Sequence, residues 1–200
     1  MAVLSGSSAG VAAVVLSAGR STRMGATNKL LADVDGKPMV RHAVEAALAS
    51  QARPVLVVTG HMASEVSAAC VGLDVILVPN PAYATGLASS LKAAIAALPT
   101  SCGGALILLG DMPRITPAHL DALIAAHARD AIVVPVHTGR QGNPVLWPAK
   151  YFPELLQLEG DAGAKRLITA HSSNVCELDL ATDAIFADVD TPEALKRLRE

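Results

Sequence analysis

Aromatic side chains are scarce in this chain: one Trp, two Tyr and two Phe in 200 residues. Proteins that hold single-stranded nucleic acid stack its bases on such rings, and there is no basic stripe to track a phosphate backbone. No nucleic acid partner is expected. Cysteine is nearly as scarce. Cys70, Cys102 and Cys176 lie far apart and form no CxxC or Cys/His spacing, which argues against a zinc site. An odd, scattered set fits buried thiols in a reducing cytoplasm. Long apolar runs are also missing: none reaches the roughly 20 residues of a membrane span. The N-terminal MAVLSGSSAG has neither the basic nor the long apolar region of a signal peptide. A cytoplasmic protein with no membrane partner is expected, with residues 1–10 as a frayed tail.

Aliphatic residues are plentiful. Half the chain is hydrophobic and almost none of that is aromatic, the mixture of buried strands with covering helices. Two hundred residues fit one domain with a sizeable core. Short β-branched runs at 11–16, 55–59, 75–78, 105–109 and 132–136 alternate with helical stretches at 39–50, 63–70, 87–98 and 117–129. That is the rhythm of βαβ units, and it predicts an α/β fold with a mostly parallel sheet in a three-layer αβα arrangement. Thr116-Pro117 and Thr191-Pro192 each place a capping hydroxyl before a Pro suited to the first helical position. After 136 the rhythm changes. A turn-rich segment at 137–144 leads to a strand at 145–147, a helix at 162–170, strands near 175–178 and 185–189, and a last helix at 192–199.

The segment after the first strand, SAGRSTRMGATNK, brings Arg20, Arg23 and Lys29 together in a chain whose net charge is −2. Ligands of open α/β sheets sit beyond the carboxyl ends of strands. Small residues at Ser17, Ala18 and Gly19 let backbone approach an anion, and Gly19 and Gly25 permit positive φ. Backbone N–H groups and cations together make a phosphate cradle, although the loop is neither a Walker A motif nor GxGxxG. Gly110-Asp111-Met112-Pro113 ends another strand, where a carboxylate suits Mg²⁺ or simply a turn. Asp188 and Asp190 share one face of a strand by its period of two; Asp190, nearer the strand end, is the preferred second metal ligand, and it equally suits a helix N-terminus. Ser89 and Ser90 open a helix, as hydrogen-bonders of a base or ribose or as caps. Gly142-Asn143-Pro144 can set an amide against a ligand or form a turn, and Asp161 with Lys165 and Arg166 can line a phosphorylated substrate or cap a helix. Gly6-Ser7-Ser8-Ala9-Gly10 matches GxSxG but precedes the first strand, so Ser8 is no nucleophile.

LSAGRSTRMGATNKLL resembles the signature loop of nucleotidyltransferases with a MobA-like fold. With GDMP at 110–113, GNPVL at 142–146, GDAGAK at 160–165 and DVDTP at 188–192, the set resembles the molybdenum cofactor cytidylyltransferase branch. The resemblance implies a Rossmann-like, GT-A-like fold in a single domain over 11–200, with a nucleotide half at about 11–136 and an acceptor lobe at about 137–190. It implies transfer of CMP from CTP to the terminal phosphate of the molybdopterin cofactor, with Mg²⁺ and release of pyrophosphate. Leu16, Ser17, Ala18, Gly19, Ser21, Ser89, Ser90 and Gly110 would hold the nucleotide. Arg20, Arg23 and Lys29 would face its phosphates, with Lys29, Arg23 and Asp111 catalytic. Asp111 and Asp190 would hold the metal. Gly142, Asn143, Pro144, Asp161 and Lys165 would face the acceptor.

Guanylyl-transferring relatives typically carry a second glycine where this chain has Ala18, and the added methyl favours a smaller pyrimidine. Ser17 replaces the usual Ala, and Lys165 stands where Arg is common, a change that matters at bidentate sites. Two alternatives stay open: a nucleotidyltransferase using GTP or another phosphorylated acceptor such as a sugar phosphate, and a non-catalytic molybdenum cofactor carrier. A molybdoenzyme or its maturation chaperone is a further candidate partner.

Overall fold

Seven strands lie side by side in the order β10-β7-β9-β6-β1-β4-β5, with the short β8 paired to β7. The computed structural model describes residues 10–20, 28–128, 130–160, 164–186 and 195. The sheet is built around β1 (Val11–Ser17), flanked in parallel by β4 (Val55–Thr59) and β6 (Gly104–Leu109). β5 (Ile76–Pro79) extends it beyond β4. On the other side β9 (Val145–Pro148) runs antiparallel to β6 and to β7 (Ile132–His137). β8 (Arg140–Gln141) and β10 (Val175–Asp179) complete that edge. A small hairpin, β2 (Asp33–Val34) with β3 (Lys37–Pro38), stands apart from the sheet.

β1 is central because VAAVVLS is buried along its whole length, as a strand covered on both faces must be. Alternate residues serve opposite layers. Ala13 and Val15 meet α1 (Met39–Ala49), α2 (Ala63–Ala69) and α4 (Pro117–Ala125) through Val40, Val44, Val66 and Leu120. Val14 and Leu16 meet α3 (Leu87–Ala97), α5 (Phe152–Leu155) and α6 (Lys165–Ala170) through Leu91, Ile95, Leu155 and Ile168. The three-layer, mostly parallel α/β arrangement is therefore as expected. Each fully buried Val, Leu or Ile contributes about 1.5–3 kcal/mol relative to exposure.

Local departures have physical reasons. The fourth helix ends at Ala125 rather than 129, because Ala128 turns back to bridge Ala131 ahead of β7. Its start is as read: Thr116 Oγ1 accepts from His119 N at 3.4 Å, and His119 Nδ1 accepts from Thr116 N at 3.3 Å. The strand expected at 185–189 is not one where it is described. Asp183–Phe186 forms a 3₁₀ turn that buries Ala184 and Ile185. Residues 187–189, the start of the 162–170 helix, and all of the 192–199 helix except Leu195 lie outside the described residues. Among the described residues, no helix is long and apolar enough to cross a membrane.

Candidate active site

The strand order places the site. From β1 the chain moves outward through β4 and β5, then returns to put β6 on the other flank of β1. Open α/β sheets bind ligands where the order reverses in this way, beyond the strands' carboxyl ends. Leu16 pairs with Leu109, so Ser17 and Gly110 leave the sheet side by side. Gly110 N donates to Leu16 O at 3.0 Å. A Cβ at Gly110 would stand 2.7 Å from Ser17 Oγ and 3.2 Å from Leu16 O, so only glycine fits without a shift. The Ser17 hydroxyl is enclosed at this seam and has no hydrogen-bond partner among the described residues.

Lys29 and Asp111 face each other across that seam. Lys29 sits in a short 3₁₀ turn, Lys29–Leu31. The preceding Asn28 is buried and caps it, its Oδ1 accepting from Leu30 N at 3.1 Å. Leu30 on the far side is buried in the core with α1. Asp111 follows Gly110 and precedes Met112, whose side chain is packed into the same layer. Each charged residue is thus anchored by buried neighbours. Lys29 Nζ lies 2.5 Å from Asp111 Oδ2, with the two side chains only 15% and 11% exposed. In such a partly dehydrated setting an ion pair or a phosphate contact is worth more than on open surface.

The nucleotide-side residues split into two groups. Ala18 is buried, and its carbonyl accepts from His61 N at 3.2 Å. Its methyl is turned toward Gly60 and Tyr83, where a Cβ built on Gly60 would meet Ala18 Cβ at 2.7 Å and Tyr83 Cβ at 2.6 Å. Gly19 and Arg20 are exposed. Gly19 does not use the positive φ open to it, and a Cβ there would meet nothing within 4 Å. Ser21, Arg23 and Gly25 lie outside the described residues. Ser89 and Ser90 are joined by a residue the motifs did not show. Asn80, buried just after β5, donates Nδ2 to Ser89 Oγ at 2.9 Å and to Ser90 Oγ at 3.0 Å. Its Oδ1 accepts from Ala82 N at 3.0 Å. The caps of α3 are not serines; Gly86 is its N-cap. The sequence signal for Asn80 is only an Asn-Pro pair at a strand end, which marks a turn.

The acceptor-side residues also separate. Gly142, Asn143 and Pro144 form the turn between β8 and β9, and the Asn143–Pro144 peptide is cis. Gly142 N donates to Pro135 O at 2.9 Å and Asn143 N to Ile185 O at 3.0 Å. A Cβ at Gly142 would stand 2.6 Å from Ile185 O, which explains the glycine. Beside this turn is a cavity of about 170 Å³ whose wall includes Leu109 and Met112, the neighbours of Gly110-Asp111. Lys165 lies elsewhere, exposed at the start of α6. Gly160 reaches α3 instead, since Ala88 N, in the first turn of that helix, donates to Gly160 O at 3.1 Å. Asp161 and Asp190 lie outside the described residues. Among the described residues no three His, Cys, Asp or Glu side chains cluster, and Asp111 is a single carboxylate at this rim. That fits Mg²⁺, which takes one or two carboxylates and fills its shell from substrate phosphates and water.

Known proteins match this arrangement. Residues 13–175 match the MobA-like NTP transferase domain. The bifunctional protein GlmU of Pelobacter propionicus is 36% identical over 135 residues, which is 67% of this chain and 29% of that protein. The chain thus spans under a third of the curated relative's length. Rv0371c of Mycobacterium tuberculosis H37Rv superposes with a TM-score of 0.84 at 29% identity, over 96% of this chain and 98% of that one. Its complex with manganese gives 0.80 at 27% identity, again over 96% and 98%. The matched residues run from the strand that leads to Lys29, through Asp111 and the β8–β9 turn, to the last strand of the sheet, and on that extent the chain belongs to the MobA-like NTP transferase domain family.

Proposed function

We propose that this chain transfers CMP from CTP to the terminal phosphate of the molybdopterin cofactor and releases pyrophosphate. The observation that carries nucleotidyl transfer is the meeting of Lys29 and Asp111, one cation and one acid, at the switch point of the sheet. Two anions must be brought together in this reaction, and a phosphate monoester is already mostly dianionic at neutral pH. No general base is needed. The protein's task is to hold the triphosphate, neutralise it and stabilise charge as it moves onto the leaving pyrophosphate.

Lys29, with Arg20 and Arg23, serves the triphosphate. Hydrogen bonds to charged groups are worth roughly 1.5–3 kcal/mol each, and only the part that strengthens in the transition state raises the rate. Asp111 and Asp190 would hold Mg²⁺, which would supply further charge neutralisation at the phosphates. The manganese complex of Rv0371c supports a divalent ion in this fold. The backbone of Leu16–Gly19 and the serine pair set by Asn80 hold the nucleoside. Gly142, Asn143 and Pro144 face the acceptor, and the GDAGAK motif alone makes Asp161 and Lys165 acceptor candidates. The case for CTP rests on Ala18, whose methyl thickens the wall it shares with Gly60 and Tyr83. The case for molybdopterin rests on the GNPVL, GDAGAK and DVDTP motifs.

The test is pyrophosphate release by the purified protein with Mg²⁺ and CTP, GTP, ATP or UTP, with and without molybdopterin cofactor. Release with CTP only when the cofactor is present is expected. Turnover with sugar phosphates but not the cofactor would replace the acceptor. Tight cofactor binding with no release from any nucleotide would make the chain a carrier.

A further inference from the structure

The cavity beside the β8–β9 turn is lined by a cation, Arg140, that has no acidic partner among the described residues. Arg140 starts β8, after the turn at Thr138-Gly139 where both residues take positive φ. Its guanidinium carbon lies 4.4 Å from the centroid of the Phe186 ring. No ion pair or side-chain hydrogen bond engages it among the described residues. Several other cations have partners: Lys37 and Arg41 pair with Glu45, Arg53 with the carbonyls of Leu48 and Ser50, and Lys150 with Asp130; what sets Arg140 apart is that it is stacked on a ring at the edge of a cavity.

The residues around Arg140 are arranged for a ligand as well. Gln141 Nε2 donates to Glu177 Oε1 at 2.8 Å, which fixes that amide. The Asn143 side chain makes no hydrogen bond among the described residues, although its backbone is pinned by Ile185 O. Both line the cavity with Arg140, against an apolar wall that includes Leu109 and Met112. A guanidinium stacked on a ring is weakly hydrated and loses little freedom on binding. Without a carboxylate partner, its planar fork suits a two-point contact with an oxyanion.

We propose that Arg140, stacked on Phe186, binds an oxyanion carried by the acceptor, with Asn143 hydrogen-bonding a polar group beside it. The word acceptor rests on the nucleotidyl-transfer reading; the anion site itself does not. Leu109 and Met112 flank Gly110-Asp111, so a molecule held here lies against the rim where transfer would occur. The oxyanion is a phosphate or a carboxylate.

The test uses the ¹⁵N-labelled full chain and the side-chain Nε–Hε resonance of Arg140, identified by its loss in Arg140→Lys. Inorganic phosphate and acetate are titrated separately. A saturable shift of this resonance is expected with at least one of them, unaltered in Lys29→Ala and weakened in Phe186→Leu. A shift with phosphate alone assigns a phosphate, and with acetate alone a carboxylate. No shift with either overturns the proposal. With molybdopterin cofactor and CTP as substrates, Arg140→Gln is expected to raise the acceptor KM by about tenfold to a hundredfold. The CTP KM and kcat should stay within about twofold, as for loss of uniform binding. An unchanged acceptor KM overturns the proposal. A shifted Arg140 resonance in a wild-type protein that transfers nothing to molybdopterin would overturn that acceptor and leave the anion site standing.

Discussion

Lys29 Nζ reaches to within 2.5 Å of Asp111 Oδ2, joining the first loop to the end of β6 across 82 positions of sequence. Neither residue alone marks a site: a lone lysine in a loop is usually solvated, and a lone aspartate after a strand is usually a turn. Their contact beside β1, where the strand order reverses, makes them the candidate pair of this site. Lys29→Ala is expected to lower kcat/KM for the nucleotide by roughly tenfold to a hundredfold. Asp111→Asn, which keeps shape and loses charge, should abolish Mg²⁺-dependent turnover while thermal unfolding stays cooperative. Steady-state kinetics with varied nucleotide and Mg²⁺ check both. Near-wild-type activity in Asp111→Asn would remove that residue from the metal site.

Gly110→Ala should destabilise the protein by about 1–3 kcal/mol, the usual cost of overpacking. The new methyl would fall on Ser17 Oγ. Adding Ser17→Ala should recover part of the loss, though not all, because Leu16 O is also close. Urea unfolding of the two single variants and the double variant measures this coupling, and strict additivity would mean that the clash is relieved elsewhere.

Asn80→Ala removes the donor shared by Ser89 and Ser90 and the acceptor for Ala82 N. A stability loss of about 1–3 kcal/mol is expected for buried groups left unpaired. The nucleotide KM should rise while the acceptor KM holds. A rise in both would show that Asn80 supports the fold as a whole rather than the nucleotide side.

Ala18→Gly should increase turnover with GTP relative to CTP, measured as the ratio of their kcat/KM values. A ratio that does not move would separate base selection from the wall made by Ala18, Gly60 and Tyr83.

Burial pushes His119 and His127 below the ordinary imidazole value of 6.5. The unfolded chain therefore takes up these protons first as pH falls. In the window from about 6.5 down to the lowered values, the unfolded state holds more protons than the folded one, so stability drops with falling pH. Above 6.5 this contribution is fully present. Urea midpoints at pH 7.5 and 5.5 should show the decline, and His127→Gln should reduce it; an identical slope in that variant would exonerate His127.

Much of the fold could be read from β-branched runs and alanine-rich helical stretches, because burial on both faces of β1, β4 and β6 writes continuous apolar segments. Direction does not leave such a mark. Val145-Leu146-Trp147 reads as a strand, but nothing in three residues says that β9 enters antiparallel between β6 and β7. The β2–β3 hairpin went unread although Asp35-Gly36, both at positive φ, is a turn signal of known strength. At the site, Lys29, Asp111 and the Gly142 turn were legible because charge or glycine at a strand end stands out. Asn80 was not, because its work is done by contacts with residues nine and ten positions away. Arg140 and Phe186 were not either: 46 positions separate them, and only the fold stacks one on the other.

The pairing of β6 with β9 acts as a ruler. Ile107 is opposite Val145 and Gly104 opposite Pro148. Asp111 lies four residues beyond Ile107, and Asn143 two residues before Val145. The distance from Asp111 to the Gly142–Pro144 turn is thus set by ladder register and not by the loops at either end. Lengthening a loop leaves that span alone. Slipping β9 by one position would move Asn143 by a strand step of about 3.4 Å and turn each of its side chains to the opposite layer, so the gauge of this site is cut into the sheet itself.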